Sequence, residues 1–378
     1  MYDYAEDVVE VLRAGSPLAL YGAGLVAFEA ANCLMGKPYE LKIEYCIVSE
    51  KGGNPCYITG IPVIDLESAK ECLDRDTVIV IATMEKHGRP IQESLQKAGF
   101  GHVILLSFEG DLWNGIQGNY YRAYRLANGR HYAALEEELG KTLCMEREDG
   151  PLPSVYSVQC HVDKPLREDV SRFSWEIPIQ AGAALTEQRI CEVRDDSGDH
   201  ISGKNRQYCE LTALYWIWKN DRSDYVGLCH YRRHFELPVD MRRKLVGSDI
   251  DVVLTIPILN FPSVREVYRH DHDEGDWDVM LEAVRLIAPA YLATAIEVQN
   301  GIFYYGHNML IARKEIFNDY CAWLFPILEY CEGHCGKRDD IYQDRYIGFL
   351  AERLMTVYFL YHEKQYKIVH ARRHFVES

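Results

Sequence analysis

No run of apolar residues in this chain reaches the roughly 20 needed to cross a bilayer, although 48% of its 378 residues are hydrophobic. That apolar content is expected to fill globular cores. The start of the chain (Met-Tyr-Asp-Tyr-Ala-Glu-Asp) is acidic where a secretory leader would be basic. The expected location is therefore cytoplasmic, with peripheral contact at the inner face of a membrane left open. Cys-x-x-Cys pairs are absent. The twelve cysteines are scattered, several inside apolar runs (Cys46, Cys160, Cys229), and read as reduced core residues. Cys331, His334 and Cys335 come nearest to a metal cluster but lack a fourth partner at a usual zinc spacing, so no metal site is expected. Basic residues are outnumbered, 41 against 57 acidic ones, and the net charge of −16 argues against nucleic acid as a partner. Internal repeats and low-complexity segments are also missing.

What basic character exists is local, at Arg232 and Arg233 and in the tail residues Lys364, Lys367, Arg372 and Arg373. Residues 225–235, Tyr-Val-Gly-Leu-Cys-His-Tyr-Arg-Arg-His-Phe, are the most informative stretch. A short apolar run reads as a strand buried on both faces and ends abruptly in His230, Arg232, Arg233 and His234. Ligands of open α/β sheets sit at the carboxyl ends of strands. Two guanidinium groups and two imidazoles delivered there suit a small anion, phosphate being the expected one. An exposed turn paired with some of the many carboxylates is the bland alternative.

The length predicts two domains. Residues 1–112 alternate strand and helix signals, with strands at 18–21, 43–48, 77–82 and 103–106, the pattern of a doubly wound parallel sheet. Gly22-Ala-Gly24-Leu-Val-Ala27 lies between the first strand and a helix. There the glycines either let a phosphate approach a helix N-terminus or simply make a tight turn. Residues 113–153 read as a helical connector closed by a breaker at 148–153. The second domain, 154–378, opens on a strand ending near His161. It continues through the Gly/Ala-rich stretch around Gly182, a polar loop at 195–205, an aromatic helix at 208–219, the 225 strand, and a last amphipathic helix at 341–361.

Five motifs appear in one order: Asp199-x-Ile-Ser202, Tyr208-Cys-Glu-Leu-Thr-Ala-Leu-Tyr-Trp-Ile-Trp-Lys-Asn220, Gly227-Leu-Cys-His-Tyr-Arg-Arg233, His307-Asn-Met and Gly348-Phe-Leu-Ala-Glu352-Arg-Leu354. Together they resemble the bacterial glycosyltransferase-like family named domain of unknown function 4422, found in capsular and exopolysaccharide gene clusters. The resemblance covers about residues 154–375, and His200 stands where asparagine is expected. The front domain resembles Rossmann-like modules associated with sugar nucleotides, through Gly60-Ile-Pro-Val-Ile64. The resemblance implies an α/β protein: an N-terminal Rossmann-like doubly wound domain followed by a GT-A-like glycosyltransferase domain.

The implied activity is transfer of a sugar from a nucleotide-sugar to a polysaccharide or lipid-linked oligosaccharide acceptor. That chemistry needs a shield for the leaving diphosphate, a base for the acceptor hydroxyl and a sugar pocket. His161, Gly182, Ser202, Asn205, His230, Arg232 and Arg233 are the expected donor and diphosphate residues. His307 and Asn308 are expected to meet sugar hydroxyls. The expected catalytic carboxylates are Asp199, Asp344 and Glu352, with Glu210 a further candidate. Many GT-A enzymes hold a metal with Asp-x-Asp at the strand end where this chain has His230-Tyr-Arg232, so metal independence is favoured. The literal Asp249-Ile-Asp251 precedes a strand and is expected at the opposite edge. No cofactor is expected beyond the nucleotide-sugar substrate. Two alternatives stand: a nucleotide-dependent oxidoreductase centred on Gly22 and Gly24, which leaves the motifs after residue 195 unexplained, and a non-catalytic sugar-nucleotide binding module.

Overall fold

The computed structural model describes residues 3–14, 18–141 and 152–377; most of the breaker at 148–153 lies outside them. The chain forms two compact units, Met1–Tyr132 and Ala133–Ser378. The segment read as a connector is divided between them: helix Asp111–Ala127 belongs to the first and helix Leu135–Lys141 to the second.

The first unit is a six-stranded sheet in the order Tyr57–Ile58, Ile61–Asp65, Ile43–Val48, Leu18–Tyr21, Val78–Thr83, Val103–Ser107. Its pairings are parallel except at the Tyr57–Ile58 edge. Strand Val78–Thr83 is a short run of Val and Ile buried almost throughout, which suits a sheet covered on both faces. Residues 61–65 form a strand that the sequence pattern did not separate, because Pro62 interrupts the β signature. Leu18–Tyr21 is wholly buried and central, with the strand order reversing beside it. At its end Gly22 has φ +133°, and a Cβ there would meet the Ala82 carbonyl at 2.5 Å. Close packing alone therefore requires glycine at this turn.

The second unit is a mixed sheet of nine strands. Its main path runs Ile368–Ala371, Val252–Thr255, Leu310–Arg313, Tyr225–His230, Ser154–Gln159, Ile177–Gln180, Val193–Arg194. Leu310–Arg313 is antiparallel to both its neighbours, and the other pairings along the path are parallel. The carboxyl ends of the parallel strands and the amino end of Leu310–Arg313 thus share one edge. Helix Tyr346–Tyr361 is buried on nearly every face. It is a central core helix rather than the amphipathic one expected, and its two charged residues, Glu352 and Arg353, lie inside the fold. The helix begins at Tyr346, after a 3-10 turn at Gln343–Arg345.

Candidate active site

Strand Tyr225–His230 is buried through Cys229 and reaches the ligand edge at His230. The chain then doubles back, with His230 paired to Arg233, so Arg232 stands at a hairpin tip. His230 Nε2 lies 2.6 Å from the His307 carbonyl oxygen. A carbonyl only accepts, so Nε2 carries the proton and Nδ1 is left as an acceptor. Nδ1 makes no hydrogen bond within the described residues and is not sealed from solvent. Burial holds the imidazole below its ordinary range; Glu210 opposes this, and Arg233 and Arg345 add to it. The sequence placed His230 among cations for a diphosphate; in the structure it is a neutral acceptor.

Facing His230 is the start of a helix that the sequence ran together with its predecessor. The aromatic helix expected over 208–219 breaks at Cys209, whose φ of 49° and ψ of −129° are incompatible with helix. Helices Asn205–Tyr208 and Leu211–Asn220 result, and Glu210 becomes the N-cap of the second. Asn205 secures the break by donating to the Cys209 carbonyl at 2.7 Å and to Thr212 Oγ1 at 3.0 Å. Glu210 Oε1 accepts the Asn308 side-chain amide at 2.7 Å. Asn308 is fully buried and also donates to the Gly348 carbonyl at 3.3 Å.

His307 and Asn308 both have left-handed backbones, φ 66° and 51°. Asparagine tolerates this better than most residues, and the turn is tied down from the core helix. Glu352 Oε1 accepts the His307 backbone N–H at 2.5 Å, while Oε2 accepts Arg353 Nη1 at 2.6 Å. Burial pushes the Glu352 carboxyl up, against the pull of Arg353 and the His307 N–H. Arg353 is itself buried, with its guanidinium 4.0 Å from the Tyr304 ring centroid. Glu352 is thus spent on structure, whereas Glu210 keeps Oε2 clear of protein hydrogen bonds and open to solvent.

Cations ring this pair. Arg232, Arg345 and His161 all act on Asp163, whose carboxyl is raised by burial and lowered by them. Arg233 acts on both His230 and Glu352. Arg345 donates through Nε to Cys209 Sγ at 3.1 Å; that thiol is pushed up to about 12 by burial and meets Arg345 as a neutral group. Arg345 is exposed and comes from the 3-10 turn. No motif pointed to it, because the turn brings it to the edge only through tertiary packing.

The donor loops border the cluster. Gly182 has φ +67°, and a Cβ there would meet Asn205 Oδ1 at 2.7 Å. The organiser is Asp195, buried and not singled out by sequence: it accepts the N–H groups of Gly182 and Ala183 at 2.9 and 3.1 Å and the Ser202 hydroxyl at 2.5 Å. His200 Nδ1 accepts the Ser202 N–H at 3.3 Å, which an asparagine oxygen could also do.

The structure brings His230, Arg232, Arg233, His307, Asn308 and Glu352 to one edge, with His161 beside them. Asp199 and Asp344 do not join them. Asp199 is exposed and accepts the Tyr215 hydroxyl at 3.2 Å, while its backbone is clipped to Asn220. Asn220 is the far end of a helix rising about 15 Å from Glu210. Asp344 is buried and turned to Arg206 at 2.9 Å, Gln207 at 3.1 Å and the Arg338 backbone N–H at 2.9 Å. Replacing Asp344 by alanine strands these donors and should cost about 2–4 kcal/mol, read as a drop in melting temperature. An unchanged melting temperature with lost activity would return Asp344 to the chemistry.

His234 also leaves the edge: its Nδ1 meets Glu176 Oε2 at 2.7 Å and its ring stacks on Phe173 at 4.0 Å. Glu176, Cys229 and His234 could in principle hold a cation, their ligand atoms lying within 4.8 Å of one another, but three buried ligands fall short of the four of a closed zinc site. Asp249 and Asp251 sit at the opposite edge, where Asp251 pairs with Arg313 at 3.1 Å and Asp249 with Lys367 at 2.8 Å. In the tail, Lys367 also meets Glu138, Arg372 meets Glu136, and Arg373 is buried. Among the described residues no helix is long and apolar enough to cross a membrane.

A solved structure described as the apo form of the WbbM bifunctional glycosyltransferase is similar, with a TM-score of 0.53 at 27% sequence identity, over 60% of this chain and 46% of that one. The chain therefore spans under half the length of that relative. No curated protein matches the chain. Residues 158–365, more than half of the chain, match the family described as domain of unknown function DUF4422, and the chain belongs to that family.

Proposed function

We propose that this chain is a glycosyltransferase that moves a sugar from a nucleotide-sugar to a saccharide or lipid-linked saccharide acceptor, in capsular or exopolysaccharide synthesis. The observation that carries this reading is the meeting of Arg232, Arg233 and Arg345 with Glu210 and the Glu352-held turn at one sheet edge. The similarity to a bifunctional glycosyltransferase supports it. So does the GT-A-like layout, with the site at the carboxyl edge of a parallel sheet carrying one antiparallel strand.

In the proposed reaction the acceptor oxygen bonds to the anomeric carbon as the bond from that carbon to the diphosphate oxygen breaks. The electron pair leaves with the diphosphate, where arginines neutralise it in a partly buried site. The acceptor proton passes to Glu210 Oε2. Asn308 orients Glu210 through its other oxygen, as a third group orients a base in other catalytic constellations. His230 Nδ1 is placed to accept from a sugar hydroxyl. Cations at the strand end would repel a divalent metal, and metal-independent transfer is part of the proposal.

A thermal-shift screen with UDP-, GDP-, CDP- and dTDP-sugars in excess EDTA tests the reading. A donor at about a hundred times its Kd adds about 2.7 kcal/mol by mass action, a rise of several degrees. Stabilisation in chelator by one nucleotide class is expected, followed by release of that nucleoside diphosphate when acceptor is supplied. Stabilisation that requires manganese or magnesium would remove the metal-free mechanism. Stabilisation by nicotinamide dinucleotides instead would favour the oxidoreductase reading centred on the first unit, and binding without any turnover would leave a sugar-nucleotide binding module.

A further inference from the structure

We propose that Tyr342, backed by Phe349 and His272, is a stacking platform for a ring of the acceptor saccharide; this rests on the transfer reading above. Tyr342 is 54% exposed and follows Ile341, 73% exposed, so two adjacent apolar side chains face water beside the candidate site. Single exposed apolar residues are ordinary. Here, however, the backbone beneath them is fixed. The N–H groups of Tyr342 and Gln343 both donate to Asp340 Oδ1, at 2.8 and 2.9 Å, and the Arg345 N–H donates to the Tyr342 carbonyl at 3.2 Å. The same segment is anchored by buried Asp344, which binds the Arg338 N–H. A rigid, exposed ring has little conformational entropy left to lose on binding.

The ring does not stand alone. The Tyr342 centroid is 5.2 Å from that of Phe349 and 6.0 Å from that of His272, and His272 stacks on Phe349 at 4.1 Å. Burial and the nearby Arg353 push the His272 imidazole down to about 4, so the backing is uncharged near neutral pH. A sugar ring has an apolar face of C–H bonds and a rim of hydroxyls. It fits an aromatic face with polar groups around it, and Asp271, Arg345, Glu352 and Arg353 are the charged groups acting on Tyr342.

The occupant follows from position. Arg345 acts on Asp163, alongside Arg232 and His161, and it also acts on Tyr342. It stands between the arginines proposed for the diphosphate and the aromatic platform. A donor with its diphosphate at Arg232 and Arg345 leaves the Tyr342 side for the group that attacks.

The test uses the full chain and methyl glycosides of common hexoses and their oligosaccharides. Binding is read by saturation-transfer NMR, and nucleoside diphosphate binding by calorimetry. At least one saccharide should show transfer to its C–H protons, and Tyr342→Ala should weaken it about tenfold, while Tyr342→Trp retains it. Nucleoside diphosphate affinity should stay within about twofold in Tyr342→Ala, since its contacts lie on the far side of Arg345. Saccharide binding unaffected by Tyr342→Ala, or absent while the nucleotide binds, would overturn the platform. Saccharide binding lost in Tyr342→Ala when no nucleotide binds at all would keep the platform and remove the transfer reading instead.

Discussion

Replacing Arg232 by alanine should weaken nucleoside diphosphate binding by one to two orders of magnitude, the equivalent of about 1.5–3 kcal/mol for a hydrogen bond to a charged group. Arg232 is at the tip of the hairpin that ends the central strand, and its guanidinium already acts on Asp163 across the edge. Its loss also leaves that raised carboxyl with one fewer cation to offset burial, which pushes it further up. Arg345→Ala should act in the same direction. Lysine at position 345 should recover only part, since an ammonium lacks the planar fork of guanidinium. Titration calorimetry at two salt concentrations reads both. Nucleotide affinity intact in the Arg232→Ala, Arg345→Ala double variant would place the diphosphate elsewhere.

Glu210→Gln should reduce turnover by about 10²- to 10⁴-fold, the range for loss of a general base, with donor affinity little changed. Glutamine keeps an oxygen for the Asn308 amide and nearly the same shape, so the turn at 307–308 should survive. Glu352→Gln should behave differently. It weakens the acceptor of the His307 N–H and removes the charge partner of buried Arg353, a change that costs about 3–5 kcal/mol when a buried pair is broken. A lower melting temperature is expected there, and turnover should fall as a consequence. If Glu352→Gln instead melts like the parent protein and loses turnover while Glu210→Gln remains active, the two carboxylates have exchanged roles.

The strand 225–230 was legible because an apolar run that ends in charges has few other solutions, and it located the edge that carries the candidate site. The family motifs brought His307, Asn308 and Glu352 to the same place. Glu210 was only one candidate among four, since nothing in Tyr208-Cys-Glu-Leu announces that Cys209 leaves helical geometry and turns Glu210 into a helix start. Asp344 was another of the candidate carboxylates, expected on the same amphipathic helix as Glu352. The 3-10 turn between them rotates it into the fold, to Arg206 and Gln207, and sends Arg345 outward. Asp195 was hidden for a related reason: a carboxylate that organises a loop has the same sequence signature as one that solvates it. The neutrality of His230 depends on burial first and then on Arg233 across the hairpin and Arg345 remote in sequence, and burial and Arg345 are not carried by the local pattern. In the first unit, Gly22 fits a phosphate turn by spacing, yet the Ala82 carbonyl behind it already demands glycine.

The most direct measurement is the structure of the chain in complex with whichever nucleotide-sugar stabilises it in chelator. The expected result is a diphosphate within hydrogen-bonding reach of Arg232 and Arg345, and an anomeric carbon open to a hydroxyl held at Glu210 Oε2. A diphosphate bound instead at the Gly22–Gly24 turn of the first unit, or bridged by a metal to Asp163, Glu210 or Glu352, would contradict it.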